Sequence, residues 1–521
     1  MLDDRADMTL VDRLYLHGRE RGDAPAFMDS RDCVSWSQLD AATNRIANAL
    51  IAVGVARGAR VAVLSDTRLQ AALLMLGTLK AAASAVPLPT LIGGDAIARI
   101  VEDSAARVLF VATKCRPLVT ERLMNLPLAR VAIDFEETGW LTLGDLLAAA
   151  PIHAPPVRPR STDEFNVIYS SGTTGKPKGI VHGHGLRASW ARGARQTSFP
   201  AGARTLTTTA LYSNWTIGAM INTLWVGGCV RLLEKFGSAE MVRACKEFRP
   251  HNVFLVPVQI ARLLDDSDAA RSLPHLPAAT KWSAGSYLAA ERKRTLMQQW
   301  PGGFIEIYGM TEGAPSTMLL GHERPDKLHT VGRCDPPDDI KIIGEDGVEL
   351  GVGARGEIVG RAIDVMDGYN NNPEASQAIV WRDLHGNAFF RSGDIGSLDA
   401  EGFLRVTDRK KDMIISGGFN IYASDLEEVL AAHPAIAEVA VFALPSTRWG
   451  ETPAAAAVLR AGADVGEDEL LRWANERLGR LQRLSTLVIA SEVPRGSLGK
   501  ILKRELRNMY AHLREDTAGS T

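Results

Sequence analysis

The chain has 521 residues, of which 46% are hydrophobic and 23% are charged. This composition is typical of a soluble globular protein with a large core, so it excludes a mainly disordered chain. Lys and Arg number 59 against 61 Asp and Glu, a net charge of −2. This balance gives no support for nucleic acid, or for an anionic membrane surface, as the main partner.

The N-terminus and the cysteines indicate a cytoplasmic protein. Residues 1–7 are acidic where a secretory signal would be basic and then apolar. The most apolar stretch, 71–86, contains Lys80 and is too short to span a bilayer. The five cysteines are odd in number, and no pair has Cys-x-x-Cys spacing. They favour free thiols in a reducing compartment over disulfides or a zinc site.

Strand-like and helical patterns alternate through the first 300 residues. Strands are predicted at 60–64, 107–111 and 252–256, and an apolar helix at 71–83. This alternation predicts α/β layers with parallel strands. The proline-rich residues 150–160 are expected to form a connector.

The pattern changes after about residue 330. Glycines and short β runs dominate there, which predicts a smaller, mostly β subdomain. Residues 413–520 have the pattern strand, helix, strand, strand, helix, which predicts a small α+β domain at the C-terminus. Ser424 and Glu427 have the spacing of a capping box, so a helix is expected to start at this serine.

A glycine-rich run at 169–179 follows a predicted strand at 165–168. It contains four Ser and Thr hydroxyls, three glycines and two lysines within eleven residues. Glycines let backbone N–H groups face an anion, while hydroxyls and lysines contact phosphate oxygens. The spacing fits neither a Walker A loop nor the dinucleotide fingerprint. The alternative is a solvated surface turn, but the preceding strand and the lysines favour polyphosphate binding.

The run resembles the signature of the adenylate-forming superfamily, which includes acyl- and aryl-CoA synthetases, peptide-synthetase adenylation domains and firefly-type luciferases. The resemblance covers nearly the whole chain, because further motifs follow in the family's order. It implies an α/β fold with an N-terminal AMP-binding domain at 1–409. That domain would contain α/β subdomains at about 1–160 and 161–328 and a distorted, mostly β barrel at 329–409. A small mobile α+β domain would follow at 410–521.

The resemblance also implies roles for individual residues. Lys500, Thr174 and Glu312 would be catalytic, with Glu312 also binding Mg²⁺, since a carboxylate beside phosphates suits this ion. Lys411 would be the hinge between the two domains. The residues implied in ATP and AMP binding are Ser170, Ser171, Gly172, Thr173, Thr174, Gly175, Lys176, Lys178, Gly285, Ser286, Glu306, Tyr308, Gly309, Met310, Thr311, Asp394, Arg409 and Lys500.

Tyr308 offers a face for adenine, and Asp394 offers two acceptors to the ribose hydroxyls. The implied acyl pocket comprises Tyr212, Trp215, Tyr287, Gly309 and Met310. The implied coenzyme A tunnel comprises Ser416, Gly417 and Gly418.

Some positions depart from the family pattern or have a plain structural alternative. Ser213 stands where the family often has a histidine, which weakens the case for a gating imidazole. Tyr287 lies in a loop that lacks the family's second glycine, so plain packing is its alternative role. Core packing is likewise the alternative for Tyr212 and Trp215. His182 and His184 are expected to be structural rather than catalytic.

The resulting hypothesis is an ATP-dependent acid–thiol ligase, with ATP, Mg²⁺ and coenzyme A as cofactors or co-substrates. The acid is expected to be apolar, aliphatic or aromatic, because residues 214–218 contain no Asp to hold an ammonium group. The alternatives are a stand-alone enzyme that loads a carrier protein, a nucleotide-binding protein without turnover, and a luciferase-like oxygenase. No nucleic acid or membrane span is expected. The oligomeric state stays open, a homodimer included.

Overall fold

The computed structural model describes residues 7–170, 178–334, 339–496 and 499–513. The chain divides into two compact units. Unit 1 comprises Met1–Leu328 and Ala362–Val380, and unit 2 comprises His329–Arg361 and Trp381–Thr521. The chain therefore enters unit 2, returns to unit 1 and enters unit 2 again. The domain boundary predicted at 409–410 stays a prediction.

The strands of the described residues are β1 (Pro25–Met28), β2 (Cys33–Ser35), β3 (Arg60–Leu64), β4 (Ser84–Pro87), β5 (Val108–Val111), β6 (Ala129–Ala132), β7 (Leu141–Thr142), β8 (Glu164–Ser170), β9 (Lys178–Gly183), β10 (Arg204–Thr207), β11 (Cys229–Leu232), β12 (Asn252–Leu255), β13 (Thr280–Ala284), β14 (Phe304–Gly309), β15 (Ser316–Leu320), β16 (Asp339–Ile343), β17 (Gly356–Arg361), β18 (Gly368–Tyr369), β19 (Val380–Arg382), β20 (Ala388–Leu398), β21 (Leu404–Arg409), β22 (Ile414–Ser416), β23 (Phe419–Ile421), β24 (Ile436–Ser446), β25 (Gly450–Leu459) and β26 (Thr486–Ile489).

The α-helices of the same residues are α1 (Leu10–Glu20), α2 (Trp36–Ala52), α3 (Leu69–Lys80), α4 (Gly94–Ser104), α5 (Glu121–Met124), α6 (Leu143–Leu147), α7 (His184–Thr197), α8 (Asn214–Trp225), α9 (Ser238–Phe248), α10 (Pro257–Asp265), α11 (Ser267–Ser272), α12 (Ala290–Gln299), α13 (Pro373–Ala378), α14 (Ala423–Ala431), α15 (Glu467–Arg477) and α16 (Lys503–Met509).

Unit 1 contains two mainly parallel sheets. The first has the strand order β15-β14-β13-β12-β10-β11-β1-β2, and the second has the order β18-β9-β8-β4-β3-β5-β6-β7. Helices α1, α2, α3, α7 and α8 contribute to the largest core cluster, with Trp36, Leu74 and Trp225 fully enclosed. This arrangement confirms the predicted α/β layers.

Unit 2 also contains two sheets. One has the order β16-β17-β20-β19, with β21 on β20, and the other has the order β23-β22-β25-β24, with β26 on β25. The first is antiparallel in its described pairings and forms the predicted mostly β segment. The second packs against α14 and α15 in one apolar core, which is the predicted α+β arrangement.

The predicted start of helix α14 is wrong. The helix begins at Ala423, and its N-cap Tyr422 makes no side-chain capping bond. Ser424 therefore lies inside the first turn. The Glu427 carboxylate does not return to the helix start, because it accepts the Val441 N–H at 2.8 Å and pairs with Lys503 at 2.8 Å. Tertiary partners thus replace the local capping box.

Candidate nucleotide-binding and acid-binding site

Three strand ends bring three of the predicted site segments of unit 1 to one edge of the first sheet. Strands β10, β12, β13 and β14 run parallel to one another, so their carboxyl ends meet at the same edge. The loop with Tyr212 follows β10, the loop with Gly285 follows β13, and the segment Tyr308–Glu312 begins at the end of β14. Ligands of open α/β sheets bind at such carboxyl edges.

The glycine-rich loop has a defined base. Strands β8 and β9 pair antiparallel, with Ser170 opposite Lys178, so residues 171–177 connect two adjacent strand ends. Ser171, Gly172, Thr173, Thr174, Gly175 and Lys176 lie outside the described residues, and their predicted roles stay predictions. A Cβ on Gly179 would lie 2.9 Å from the Tyr169 ring, so this position excludes a side chain.

Tyr369 connects the base of the loop with Glu312. The Lys178 Nζ lies 5.2 Å from the centre of the Tyr369 ring, and the Tyr369 hydroxyl donates to Glu312 Oε1 at 2.7 Å. Burial and the adjacent Glu312 raise the pKa of Tyr369 above its ordinary value, so the hydroxyl stays a donor at neutral pH. Tyr369 is not predictable from the sequence, because no local pattern marks a two-residue edge strand.

The remaining residues of the Tyr308–Glu312 segment lie partly exposed at this edge. Gly309 is exposed, while Met310, Thr311 and Glu312 are half-buried. The Thr311 carbonyl lies 2.6 Å from His182 Nε2, and the Glu312 carbonyl accepts the Met366 N–H at 2.8 Å. The backbone on both sides of the Glu312 Cα is therefore fixed by hydrogen bonds.

Glu306 is buried, unlike the partly exposed residues at the end of the same strand. Its side chain is 4% exposed and forms a buried ion pair with Lys293 of α12. Burial raises the pKa of Glu306 to about 7, although Lys293 opposes this rise. This surrounding favours a structural role over the predicted nucleotide contact.

The loop after β13 is open to solvent. Gly285 has φ +99°, in the region that favours glycine. Ser286 is half-buried and Tyr287 is 79% exposed. The exposure of Tyr287 does not support its alternative role in core packing, and its contact with an acid stays a prediction.

Tyr212 and Trp215 lie around the start of α8. The Trp215 Nε1–H donates to the Leu255 carbonyl at 3.1 Å, and its ring centre lies 4.7 Å from that of Phe254. Both site residues are half-buried. Ser213, which replaces the family's frequent histidine, caps α8 by accepting the Trp215 N–H at 3.2 Å.

Unit 2 brings Lys500 together with three predicted residues from 394–411, namely Asp394, Arg409 and Lys411. The Arg409 Nε lies 2.5 Å from Asp394 Oδ1, and these residues face each other across β20 and β21. Burial, followed by the charge of Arg409, lowers the pKa of Lys500 to about 8, with Lys411 adding to this effect and Asp394 opposing it. Burial also lowers the pKa of Lys411. Lys500 therefore lies among two cations, Arg409 and Lys411, and two carboxylates, Asp394 and Asp412.

The Lys500 loop is a tight connection. The Gly496 N–H donates to the Lys500 carbonyl at 2.8 Å, and the Gly499 N–H donates to the Gly496 carbonyl at 2.9 Å. Gly499 has φ +76°. Arg495 and Ile501 form an isolated bridge, so the backbone beside Lys500 is held by hydrogen bonds.

The predicted coenzyme A segment forms the turn between β22 and β23. Gly417 and Gly418 have φ +58° and +83°, values that two consecutive glycines adopt readily. A Cβ on Gly417 would lie 2.8 Å from the Trp449 ring, and the Gly417 N–H donates to the Trp449 carbonyl at 2.8 Å. Ser416 ends β22 and is half-buried.

Two family models match the chain. The AMP-binding enzyme model covers residues 15–370, and the AMP-binding enzyme C-terminal domain model covers residues 425–500. The chain belongs to the AMP-binding enzyme family. This result confirms the predicted adenylate-forming superfamily.

Relatives in this family span almost the full chain. Long-chain-fatty-acid–CoA ligase FadD13 of Mycobacterium tuberculosis is 30% identical over 92% of this chain and 93% of its own length. Indoleacetate–CoA ligase of Aromatoleum aromaticum is 31% identical over 95% and 96%. Feruloyl-CoA synthase of an Amycolatopsis species is 31% identical over 94% and 96%. These relatives support the predicted enzyme class, although each is named for a different acid.

Solved AMP-binding enzymes share the fold. ATP-bound MatB from Rhodopseudomonas palustris has a TM-score of 0.86 at 25% identity, covering 97% of this chain and 100% of its own. The anthranilate CoA ligase AuaEII has a TM-score of 0.84 at 23% identity, covering 97% and 98%. The predicted fold class is confirmed.

Three further observations concern membranes, metals and thiols. Within the described residues, no helix combines the length and the apolar character needed to cross a bilayer. Among the same residues, no group of three or more His, Cys, Asp or Glu side chains is arranged to hold a metal ion. Cys115, Cys229 and Cys245 are buried free thiols, and Cys33 is an exposed one.

Proposed function

We propose that the chain is an AMP-forming carboxylic acid–CoA ligase. The observation that carries this proposal is the link from Lys178 through Tyr369 to Glu312, which joins the base of the glycine-rich loop to the carboxylate of the Tyr308–Glu312 segment. An ATP-binding site needs both a cation for phosphate and a carboxylate for the accompanying metal ion. Relatives named as ligases of three acids support the reaction class.

The first half-reaction is acid adenylation. A carboxylate oxygen of the acid attacks the α-phosphorus of ATP, and the bond to the pyrophosphate oxygen breaks. The barrier arises because an anion approaches a polyanion, so positive groups that neutralise developing charge lower it. Lys176, Lys178 and Lys500 supply that charge in this proposal.

Glu312 is the proposed protein ligand for Mg²⁺. Mg²⁺ is commonly held by one or two carboxylates together with substrate phosphates and water, so a single carboxylate suits it better than a protein cage. The Tyr369 hydroxyl orients one Glu312 oxygen and leaves the other oxygen as the candidate ligand. When bound, the ion would neutralise phosphate charge.

The proposed roles in unit 2 rest on the grouping of Lys500 with Asp394, Arg409 and Lys411. Asp394 would accept the ribose hydroxyls, with Arg409 beside it contacting ribose and phosphate. Lys500 would contact the acid carboxylate and the α-phosphate, and Lys411 would be the pivot of the domain movement. In the second half-reaction, the coenzyme A sulfur attacks the acyl carbon and AMP leaves, with Ser416, Gly417 and Gly418 bordering the thiol path.

The acid in this proposal is apolar, aliphatic or aromatic. Trp215 contacts Phe254, and the nearby Asn214 side chain accepts a hydrogen bond from Arg187 at 2.8 Å. An amino acid would need a carboxylate for its ammonium group, and residues 214–218 supply none.

A panel of carboxylic acids with ATP, Mg²⁺ and coenzyme A tests this function. We expect AMP, pyrophosphate and an acyl-CoA thioester in equal amounts with at least one apolar acid. AMP formation without thioester, together with acylation of a supplied carrier protein, would replace coenzyme A by the carrier as acceptor. ATP binding without AMP formation from any acid would refute the enzyme function.

Lys500→Ala tests the assigned roles, with Lys246→Ala as a matched control because Lys246 is an exposed lysine on α9. Lys500→Ala should lower acid-dependent pyrophosphate release by at least about 100-fold, while thioester formation from supplied acyl-AMP stays near the wild-type rate. Equal losses in both half-reactions would contradict the role given to Lys500.

A further inference from the structure

Arg187 of α7 is a buried cation with three neutral partners. Its guanidinium donates to Asn166 Oδ1 at 3.0 and 2.9 Å, to Asn214 Oδ1 at 2.8 Å and to His182 Nδ1 at 3.0 Å. The side chain is 0% exposed. Among the residues that the structure describes, no carboxylate pairs with it, and burial alone lowers its pKa to about 9.

Such a cation is expensive to bury, because it loses hydration without gaining an opposite charge. A structural core could be built from apolar residues of similar volume at lower cost. The arrangement is therefore better explained by what its three partners connect than by the stability that it adds.

Arg187 also determines which ring nitrogen of His182 carries the hydrogen. A guanidinium has donors only, so His182 Nδ1 is the acceptor and Nε2 carries the hydrogen. That Nε2–H donates to the Thr311 carbonyl at 2.6 Å. Burial, with the charge of Arg187, keeps the pKa of His182 well below its ordinary value, so the ring stays in this neutral form.

Arg187 reaches three different parts of the site, two through Asn166 and Asn214 directly and the third through His182, which bonds to Thr311. Asn166 lies on β8, the strand that leads into the glycine-rich loop. Thr311 directly precedes Glu312, and Asn214 is the first residue of α8, next to Trp215. One side chain thus connects the phosphate loop, the metal-binding segment and the acid pocket.

We propose that Arg187 and His182 are positioning residues that hold these three segments of unit 1 at fixed distances from one another. The hydrogen bonds from Arg187 through His182 to Thr311, here called the His182 arm, orient the Thr311–Glu312 peptide and thereby the Glu312 carboxylate. The hydrogen bond from Arg187 to Asn214, here called the Asn214 arm, orients the start of α8 and thereby the acid pocket. This inference rests on the proposed function, since the segments are those assigned there to ATP, Mg²⁺ and acid.

In steady-state kinetics, loss of the His182 arm should affect the KM for MgATP, and loss of the Asn214 arm should affect the KM for the acid. His182→Leu removes the hydrogen bond to Thr311, so we expect the KM for MgATP to rise on the order of tenfold, while the KM for the acid changes less than about twofold. Asn214→Leu should raise the KM for the acid by a similar factor and leave that for MgATP within about twofold.

Two further variants separate positioning from general structural damage. His182→Gln keeps a donor for Thr311 and an acceptor for Arg187, so it should restore the KM for MgATP to within about threefold of wild type. His184→Leu is the matched control, because His184 is equally buried two residues away and neither of its ring nitrogens has a hydrogen-bond partner. It should leave both KM values unchanged.

The outcomes distinguish the positioning role from the proposed function. Equal changes of both KM values in His182→Leu and Asn214→Leu, or the same loss in His184→Leu, would overturn positioning while leaving the ligase function intact. If the wild type activates no acid, the proposed function fails, and MgATP affinity measured by calorimetry still tests the His182 arm. Should His182→Leu fail to fold, His182→Gln and Asn214→Leu still decide the question, since unchanged KM values in Asn214→Leu would refute the role.

Discussion

Removing Lys293 should destabilise the protein in a pH-dependent way. Lys293 and Glu306 form a buried ion pair between α12 and β14, with side chains 3% and 4% exposed. In Lys293→Met, the Glu306 carboxylate is left in the interior without its cation. A buried carboxylate of this kind takes up a proton instead of remaining charged.

The pKa values set the size of the effect. Burial already raises the pKa of Glu306 to about 7 in the wild type, so below pH 7 the carboxyl holds a proton in both folded proteins. Above pH 7 the folded variant keeps this proton, which costs about 1.4 kcal/mol per pH unit relative to the wild type. The penalty in Lys293→Met should therefore stay below about 0.5 kcal/mol at pH 6 and reach about 3 kcal/mol at pH 9.

The sign follows from proton binding. In the variant, the folded-state pKa of the Glu306 carboxyl rises above the wild-type value of about 7. Between about pH 7 and that higher pKa, the folded variant therefore keeps a proton that the unfolded chain and the folded wild type have both lost. Stability accordingly decreases as pH rises through this range.

Urea unfolding at pH 6, 7, 8 and 9, followed by tryptophan fluorescence, measures this dependence. Lys293→Met/Glu306→Met is the control, because an apolar pair of similar volume removes the stranded carboxyl and should show a stability near wild type without the added slope. A Lys293→Met penalty that is the same at pH 7 and pH 9 would refute the reasoning.

Three further predictions concern the site. The kcat/KM for ATP should fall as pH rises through about 8, because the lowered pKa of Lys500 means that it loses its proton there, and Lys500→Arg, whose cation stays charged, should not show that fall in a pH–rate profile. Tyr369→Phe removes the donor to Glu312 and should raise the Mg²⁺ concentration needed for half-maximal AMP formation by roughly tenfold, whereas an unchanged requirement would argue against Glu312 as the ligand. Trp215→Ala should shift kcat/KM in favour of longer or bulkier acids by roughly tenfold in an acid panel, and an unshifted ranking would place Trp215 outside the pocket.

Local periodicity located the main elements of the fold, because strand and helix patterns depend on neighbouring residues. The strand predicted at 60–64 matches β3 (Arg60–Leu64), and the helix predicted at 71–83 corresponds to α3 (Leu69–Lys80). The helix ends early because Ala82 has φ +55°, which is incompatible with continuing it. The chain then enters β4, a strand that the apolar run had concealed.

The site motifs were also visible in the sequence, but their supporting partners were not. Nothing near Tyr369 or Arg187 marks them as partners of Glu312 and His182, since the folded chain brings them together from distant segments. Lys293 shows the same limit. Its pairing with Glu306 depends on a helix packing on a strand, and no spacing rule for a single element could predict it.

The segment Ala362–Val380 belongs to unit 1, although both of its flanking segments belong to unit 2. Exchange of unit 2 between relatives therefore requires three junctions, near residues 328, 361 and 380, rather than a single cut. A fragment that ends at Leu328 would lose β18, the partner of β9, and with it the Tyr369 hydroxyl that orients Glu312. Recombination at one crossover would then separate the Glu312 carboxylate from its orienting group. Recombined chains should therefore retain activity only when 362–380 is inherited together with the preceding 328 residues.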